Sequence, residues 1–290
     1  MKASGPTQPG RRRRKLKLNN VQPENLCFVI GRPRSGTTVF RTMLQTHPDI
    51  WSLGEVLNES NPGSYFHFLK RLQSDNRDAV LPSRAVANFV DYLKWCRETS
   101  IEHQPSNRLV VMDVKYDQAH LLCEPWWSLN SLPRIFSLMR ELGCKVIDIH
   151  RRDLVGLIIS NQIAMQTNIY HSNKLEPGGG QQARVRIDPE RLLREVSSTA
   201  KAYDKVSRHF RGYPEYLAVE YEEMFVNGEF SSSLILRLST FLGVSDQFER
   251  EPQLNKLLVD DIFSYIENGD EVREHLARHS AAGRPRQVTA

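Results

Sequence analysis

The segment Gly31-Arg32-Pro33-Arg34-Ser35-Gly36-Thr37-Thr38 constrains this chain more than any other. It follows an apolar run, Leu26–Ile30, that reads as a buried strand. It opens a segment, 36–46, that carries Val39, Phe40, Met43 and Leu44 on one helical face and stops before Pro48. A glycine-rich turn between strand and helix points backbone N–H groups and the positive helix end at one place, where an anion such as phosphate binds. Gly31 and Gly36 have the spacing of a GxxxxGK[ST] loop, but Thr37 stands where that loop has its lysine. That lysine and Mg²⁺ neutralise a triphosphate, so its loss argues against ATP or GTP chemistry. Arg34, with Arg32 beside it, supplies positive charge from inside the loop instead.

Further apolar runs at Leu109–Met112, Lys145–Ile149 and Tyr216–Val219 read as buried strands. Between them Asp153 can cap a helix through Met165, and longer helices are expected over 188–209 and 231–242, the second ending at Gly243. Strands alternating with helices predict an α/β fold of the P-loop type, a three-layer α/β/α sandwich around a central parallel sheet. The 290 residues suffice for one such domain, expected over 23–290. Residues 168–187, with Gly178-Gly179-Gly180, Arg184 and Arg186, read as a long binding or lid loop.

Charge is distributed unevenly. Lys2, Arg11, Arg12, Arg13, Arg14, Lys15 and Lys17 precede the first acidic residue, Glu24. Removing those seven from 39 Lys and Arg leaves 32 against 34 Asp and Glu, so the net +5 belongs to the tail. Residues 1–22 are therefore expected to be a disordered, solvated arm, with peripheral contact to an anionic membrane as the alternative. No aromatic residues interleave with its charges, which argues against nucleic acid. No run approaches the roughly 20 apolar residues of a membrane span, and no signal-peptide core is visible, so a cytoplasmic protein is expected. Cys27, Cys96, Cys123 and Cys144 form no CxxC pair of the zinc-site kind, and Cys27 and Cys144 lie in apolar runs as reduced core residues.

A second element runs from Ile147 to Ser160: a strand ending in His150-Arg151-Arg152, then a helix capped by Asp153 with a serine two turns in. Arginine and serine at such a place provide charge-assisted and hydroxyl donors for a terminal phosphate.

Pro33-Arg34-Ser35-Gly36-Thr37-Thr38 resembles the PxSGTT 5′-phosphosulfate loop of sulfotransferases that use 3′-phosphoadenosine-5′-phosphosulfate. The resemblance implies that Arg32, Pro33, Arg34, Ser35, Gly36, Thr37 and Thr38 bind the 5′-phosphosulfate. It also implies that Arg152, with Arg151 as the close alternative, binds the 3′-phosphate together with Ser160 eight residues later. The donor carries less charge than a triphosphate, so no metal is expected. The stretch from His47 through Pro48 and Asp49 to Gly54-Glu55 is similar to one shared by heparan-type, nodulation-factor and trehalose sulfotransferases, which implies Glu55 as general base. Lys115 matches a strand-end lysine near the acceptor; it binds the leaving group or the acceptor, or only pairs with Asp113. His47 reads as a helix-end residue, and Trp126 and Trp127 as candidates for stacking on a sugar. Val219–Met224, Phe241–Val244 and Asn268–Val272 resemble later family segments, so the likeness runs from residue 27 to about 276.

The implied activity is sulfuryl transfer from that donor to a hydroxyl of a sugar or glycolipid. Arg34 and the loop amides stabilise the departing phosphate, and Glu55 takes the acceptor proton. The rivals are a P-loop small-molecule kinase, which Thr37 opposes, and a non-catalytic nucleotide-binding adaptor, which Glu55 opposes.

Overall fold

The computed structural model describes residues 23–75, 81–106, 108–122, 131–168, 184–253 and 261–282. The basic arm, Cys123, Trp126, Trp127 and the glycine run of the 168–187 loop lie outside the described residues.

Among the described residues a five-stranded parallel sheet runs in the order β2-β3-β1-β4-β5. Its centre is β1 (Leu26–Gly31), whose six residues are all buried. A strand covered on both faces needs an unbroken apolar run, as Leu-Cys-Phe-Val-Ile supplies. Alternate residues point to opposite faces. Leu26, Phe28 and Ile30 enter one core with Val110, Met112 and Val114 of β3 (Leu109–Lys115). Over that core lie α2 (Tyr65–Asp75), α3 (Ala85–His103), α4 (Arg134–Leu142) and α6 (Pro189–Phe210). Cys27 and Val29 enter the opposite core with Val111 and with Ile147 and Ile149 of β4 (Lys145–His150), under α1 (Thr37–Gln45) and α7 (Ser232–Leu242). Each fully buried Leu, Ile or Phe contributes about 1.5–3 kcal/mol. The fold is thus the three-layer α/β/α sandwich that the alternation predicted. A third cluster joins α5 (Leu154–Thr167) to Leu192 of α6 and Val272 of α8 (Gly269–Ala282).

Three sequence expectations shift. The strand expected to end at Met112 continues through Asp113, Val114 and Lys115, because β1 pairs with it up to Gly31 opposite Lys115. Two charged side chains therefore lie inside a strand where the apolar run had stopped. The strand expected to end at Ile149 includes His150, and β5 (Tyr216–Glu220) includes Glu220. Residues Ile50–Glu55 form an edge strand, β2, absent from the strand reading because only Ile50 is fully buried.

Cys27, Cys96 and Cys144 are free and buried. His47 is buried, hydrogen bonded to Ser245 at 2.9 Å, and receives the Asp49 N–H on Nδ1, so it does close the helix end. Among the described residues no helix is long and apolar enough to cross a membrane.

Candidate active site

All five strands run parallel, so their carboxyl ends open on one side, and β1 lies at the point where the strand order reverses. Open α/β sheets bind ligands at such a crevice. There the 31–36 loop leaves β1, Glu55 ends β2, Lys115 ends β3, Arg151 and Arg152 follow β4, and Tyr221 follows β5.

The loop conformation is forced by close packing. Ser35 donates from both its N–H and its Oγ–H to the Arg32 carbonyl, at 3.1 and 2.7 Å, which closes a tight turn. A side chain at Gly31 would meet Ser35 Oγ at 2.8 Å and the Ile149 carbonyl at 3.0 Å. One at Gly36, whose φ is +93°, would strike the Tyr221 ring. Glycine is the residue that fits both places. Gly36 is also the N-cap of α1, and having no side chain it leaves the first-turn N–H groups uncapped. Such N–H groups suit an anion.

Arg34 has a left-handed φ of +68°, and its Nε donates to Ser160 Oγ of α5 at 3.1 Å. The structure thus brings together the loop arginine and the serine that the sequence placed at opposite ends of one ligand. Arg151 Nη1 donates to the Arg34 carbonyl at 3.4 Å, and its guanidinium lies 5.2 Å from the Tyr221 ring centroid. The Nε atoms of Arg32 and Arg151 are buried without a hydrogen-bond partner. Arg152 turns away from the loop: its Nε pairs with Glu220 at 2.8 Å, and its side chain is 61% exposed. Of the two arginines, Arg151 is the one that touches the loop.

The other half of the site is an ionic chain. Lys115 Nζ donates to Thr37 Oγ1 and to Asp113 Oδ2, the latter at 2.6 Å, and lies 3.4 Å from Glu55 Oε1. Thr37 occupies the lysine position of a triphosphate loop, so here an ammonium reaches that position from the neighbouring strand. Glu55 Oε2 accepts from Gln118 Nε2 at 3.1 Å and Asn58 Nδ2 at 3.2 Å. Burial of the Glu55 carboxyl pushes its pKa up, but the Lys115 charge and the hydrogen bonds from Gln118, Asn58 and Lys115 together hold it below the ordinary 4.5.

Glu55 reaches this chain through a β-bulge. Ser52 pairs with Val111 and Glu55 with Asp113, so β2 spends three steps where β3 spends two. Regular alternation would have sent Glu55 to the face of Trp51 and Leu53, which pack on the α3 side. The extra residue turns it to the α1 side instead. Gly54, at φ +73°, is part of the bulge, and Asn61 Nδ2 donates to the Leu53 and Glu55 carbonyls at 2.7 and 2.9 Å. Trp51 and Leu53 therefore lie on the opposite face from Glu55.

Gln118, Asn58, Asn61 and the ring of Tyr221 escaped the sequence reading as site residues. Lone amides in turns carry no spacing signature, and only Tyr221 lay in a segment singled out for other reasons. Among the described residues no cluster of His, Cys, Asp and Glu is arranged to hold a metal ion.

No curated protein sequence matches the chain. Similar solved structures include a sulfotransferase from Alicyclobacillus acidocaldarius, at 14% identity and TM-score 0.42, covering 89% of this chain and 94% of that one. Sulfotransferase STF9 from Mycobacterium avium is 13% identical, with TM-score 0.41 and coverage of 93% and 79%. Mouse sulfotransferase SULT7A1 complexed with PAP is 12% identical, with TM-score 0.38 and coverage of 90% and 68%. The model of the sulfotransferase family matches residues 27–247, most of the length, and includes β1 through β5 and the crevice they form. This chain belongs to the sulfotransferase family.

Proposed function

We propose that this sulfotransferase takes the sulfuryl group of 3′-phosphoadenosine-5′-phosphosulfate and places it on a hydroxyl of a sugar or glycolipid. The observation that carries the reading is Lys115, which touches the donor loop at Thr37 and the candidate base Glu55 at once. The acceptor class rests on the likeness of the 47–55 stretch to glycan sulfotransferases.

Residues 32–38 would hold the 5′-phosphosulfate, with Arg34, Lys115 and the α1 N-terminus facing the charge that grows as sulfur leaves. Ser160, with Arg151 and Arg152, would hold the 3′-phosphate. The acceptor oxygen attacks sulfur in line with the bond to the 5′-phosphate. That S–O bond breaks, its electron pair stays on adenosine 3′,5′-bisphosphate, and the hydroxyl proton passes to Glu55. Glu55 is ready for this because its environment keeps it ionised near neutral pH.

Thermal unfolding tests the donor site. Adenosine 3′,5′-bisphosphate at 100 times its dissociation constant should stabilise the fold by about 2.7 kcal/mol. Mg-ATP should not, and the shift should vanish when Arg151 and Arg152 are both changed to Ala, the single variants showing which contributes more. Sulfation of a panel of mono- and disaccharides from labelled donor then tests the acceptor class. Stabilisation by Mg-ATP alone would overturn the reading in favour of a kinase.

A further inference from the structure

Lys115 has two carboxylates within reach and favours one. Its Nζ is 2.6 Å from Asp113 Oδ2 and 3.4 Å from Glu55 Oε1. Asp113 and Lys115 are two residues apart on β3, so both point to the α1 face of the sheet, where α1 presents Thr37 and Arg41. Arg41 also acts on Asp113 through its charge while donating from Nη1 to Ser52 Oγ at 3.3 Å.

Asp113 is fully buried, and its Oδ1 has no hydrogen-bond partner. Burial, reinforced by the Glu55 charge, holds its pKa above the ordinary value against the downward pull of Lys115 and Arg41. A carboxylate with one oxygen unsatisfied in the middle of a sheet is costly, and an apolar residue would suit the strand better. The cost has a counterpart in what the other oxygen does. An ammonium in full contact with Glu55 would occupy the lone pairs that a base needs and lower its basicity. A competing carboxylate at 2.6 Å keeps that contact at 3.4 Å.

We infer that Asp113 is a positioning residue that draws the Lys115 ammonium off Glu55 and aims it at Thr37. One cation thereby serves the donor loop while its contact with the base stays the longer of the two. The inference rests on the function proposed above, with Lys115 on the donor and Glu55 on the acceptor.

A double-mutant cycle on turnover tests it, with 3′-phosphoadenosine-5′-phosphosulfate as donor and water or the best saccharide of the panel as acceptor. Asp113→Asn should lower kcat on the order of 100-fold, the cost of misplacing a reacting group by about 1 Å, with the donor KM and the affinity for adenosine 3′,5′-bisphosphate little changed. In a Lys115→Met background the same change should cost almost nothing further, because Asp113 acts through Lys115. Equal losses in both backgrounds would mean a structural role and overturn the inference, as would wild-type kcat in Asp113→Asn. Should that variant fail to fold, Asp113→Glu keeps the charge but displaces it by one methylene. The same dependence on Lys115 is expected there, and wild-type kcat would count against it. Wild-type protein that neither binds the bisphosphate nor turns the donor over overturns the function proposed above, and this inference with it. Turnover that is indifferent to Asp113 overturns this inference alone.

Discussion

At the scale of the residue, Glu55 shows how the charge of one carboxyl follows from contacts both near to it and far from it in sequence. Lys115, Gln118 and Asn58 all favour its ionised form, and together they outweigh burial. A carboxyl held below its usual value is charged at all higher pH. The activity that depends on it is therefore lost only as pH falls below 4.5. The pH–rate profile should place its acid limb below that value; a limb near 6 would point to another base. Glu55→Gln should lower kcat by about 10²–10⁴ while leaving the affinity for adenosine 3′,5′-bisphosphate intact, because a general base acts on the acceptor proton alone.

At the scale of the element, the decisive device is the bulge in β2. One extra residue moves Glu55 from the α3 face to the α1 face, and Asn61 satisfies the two carbonyls that the bulge takes out of regular pairing. Asn61 Oδ1 also accepts from the Gly63 N–H at 3.0 Å, so Asn61→Ala removes three hydrogen bonds worth about 0.5–1.5 kcal/mol each, and urea unfolding should show a loss of about 1.5–4.5 kcal/mol. Turnover should fall as well, since the turn that aims Glu55 loosens. A stability loss with full turnover would show that the bulge holds its shape without Asn61. The α1 terminus works in the same way at the other side of the crevice, where Gly36 packs on Tyr221 and so sets where the first-turn N–H groups point.

At the scale of the molecule, a buried polar network ties the strand ends together beneath the crevice. Asp148 of β4 is fully buried and accepts from Tyr116 at 2.6 Å, and from Tyr216 and His150 at 2.9 Å each. His150 stacks on Tyr203 of α6 with ring centroids 4.5 Å apart. These residues neighbour Lys115 and Arg151 in sequence, so the two halves of the site stand on one network. Burial lowers the His150 pKa, but the Asp148 charge and hydrogen bond and the Glu220 charge outweigh it and raise the value above 6.5. A histidine whose folded pKa is raised stabilises the fold fully below pH 6.5 and loses that contribution as pH rises through the folded value. The urea midpoint should therefore fall above pH 6.5, and His150→Gln should flatten that part of the profile. A slope unchanged in the variant would assign the pH dependence elsewhere.

Local pattern in the sequence specified the class of fold and the strand–loop–helix unit at the centre of the sheet. Buried central strands demand continuous apolar runs, and a phosphate loop demands glycines at set places, so β1, the 31–36 loop and the start of α1 were legible as local pattern. The Arg151-Arg152 pair and Ser160 were legible for the same reason, as a strand end followed by a capped helix. The tertiary structure alone decided which arginine touches the loop, that β3 carries Asp113 and Lys115 inside the sheet, and that β2 exists with Glu55 turned toward α1. Those outcomes depend on register and on groups that meet from 58 to 126 residues apart in sequence. An edge strand shielded on one side, a one-residue bulge and a buried ion pair leave no period in the chain, because the groups that stabilise them come from elsewhere in the fold.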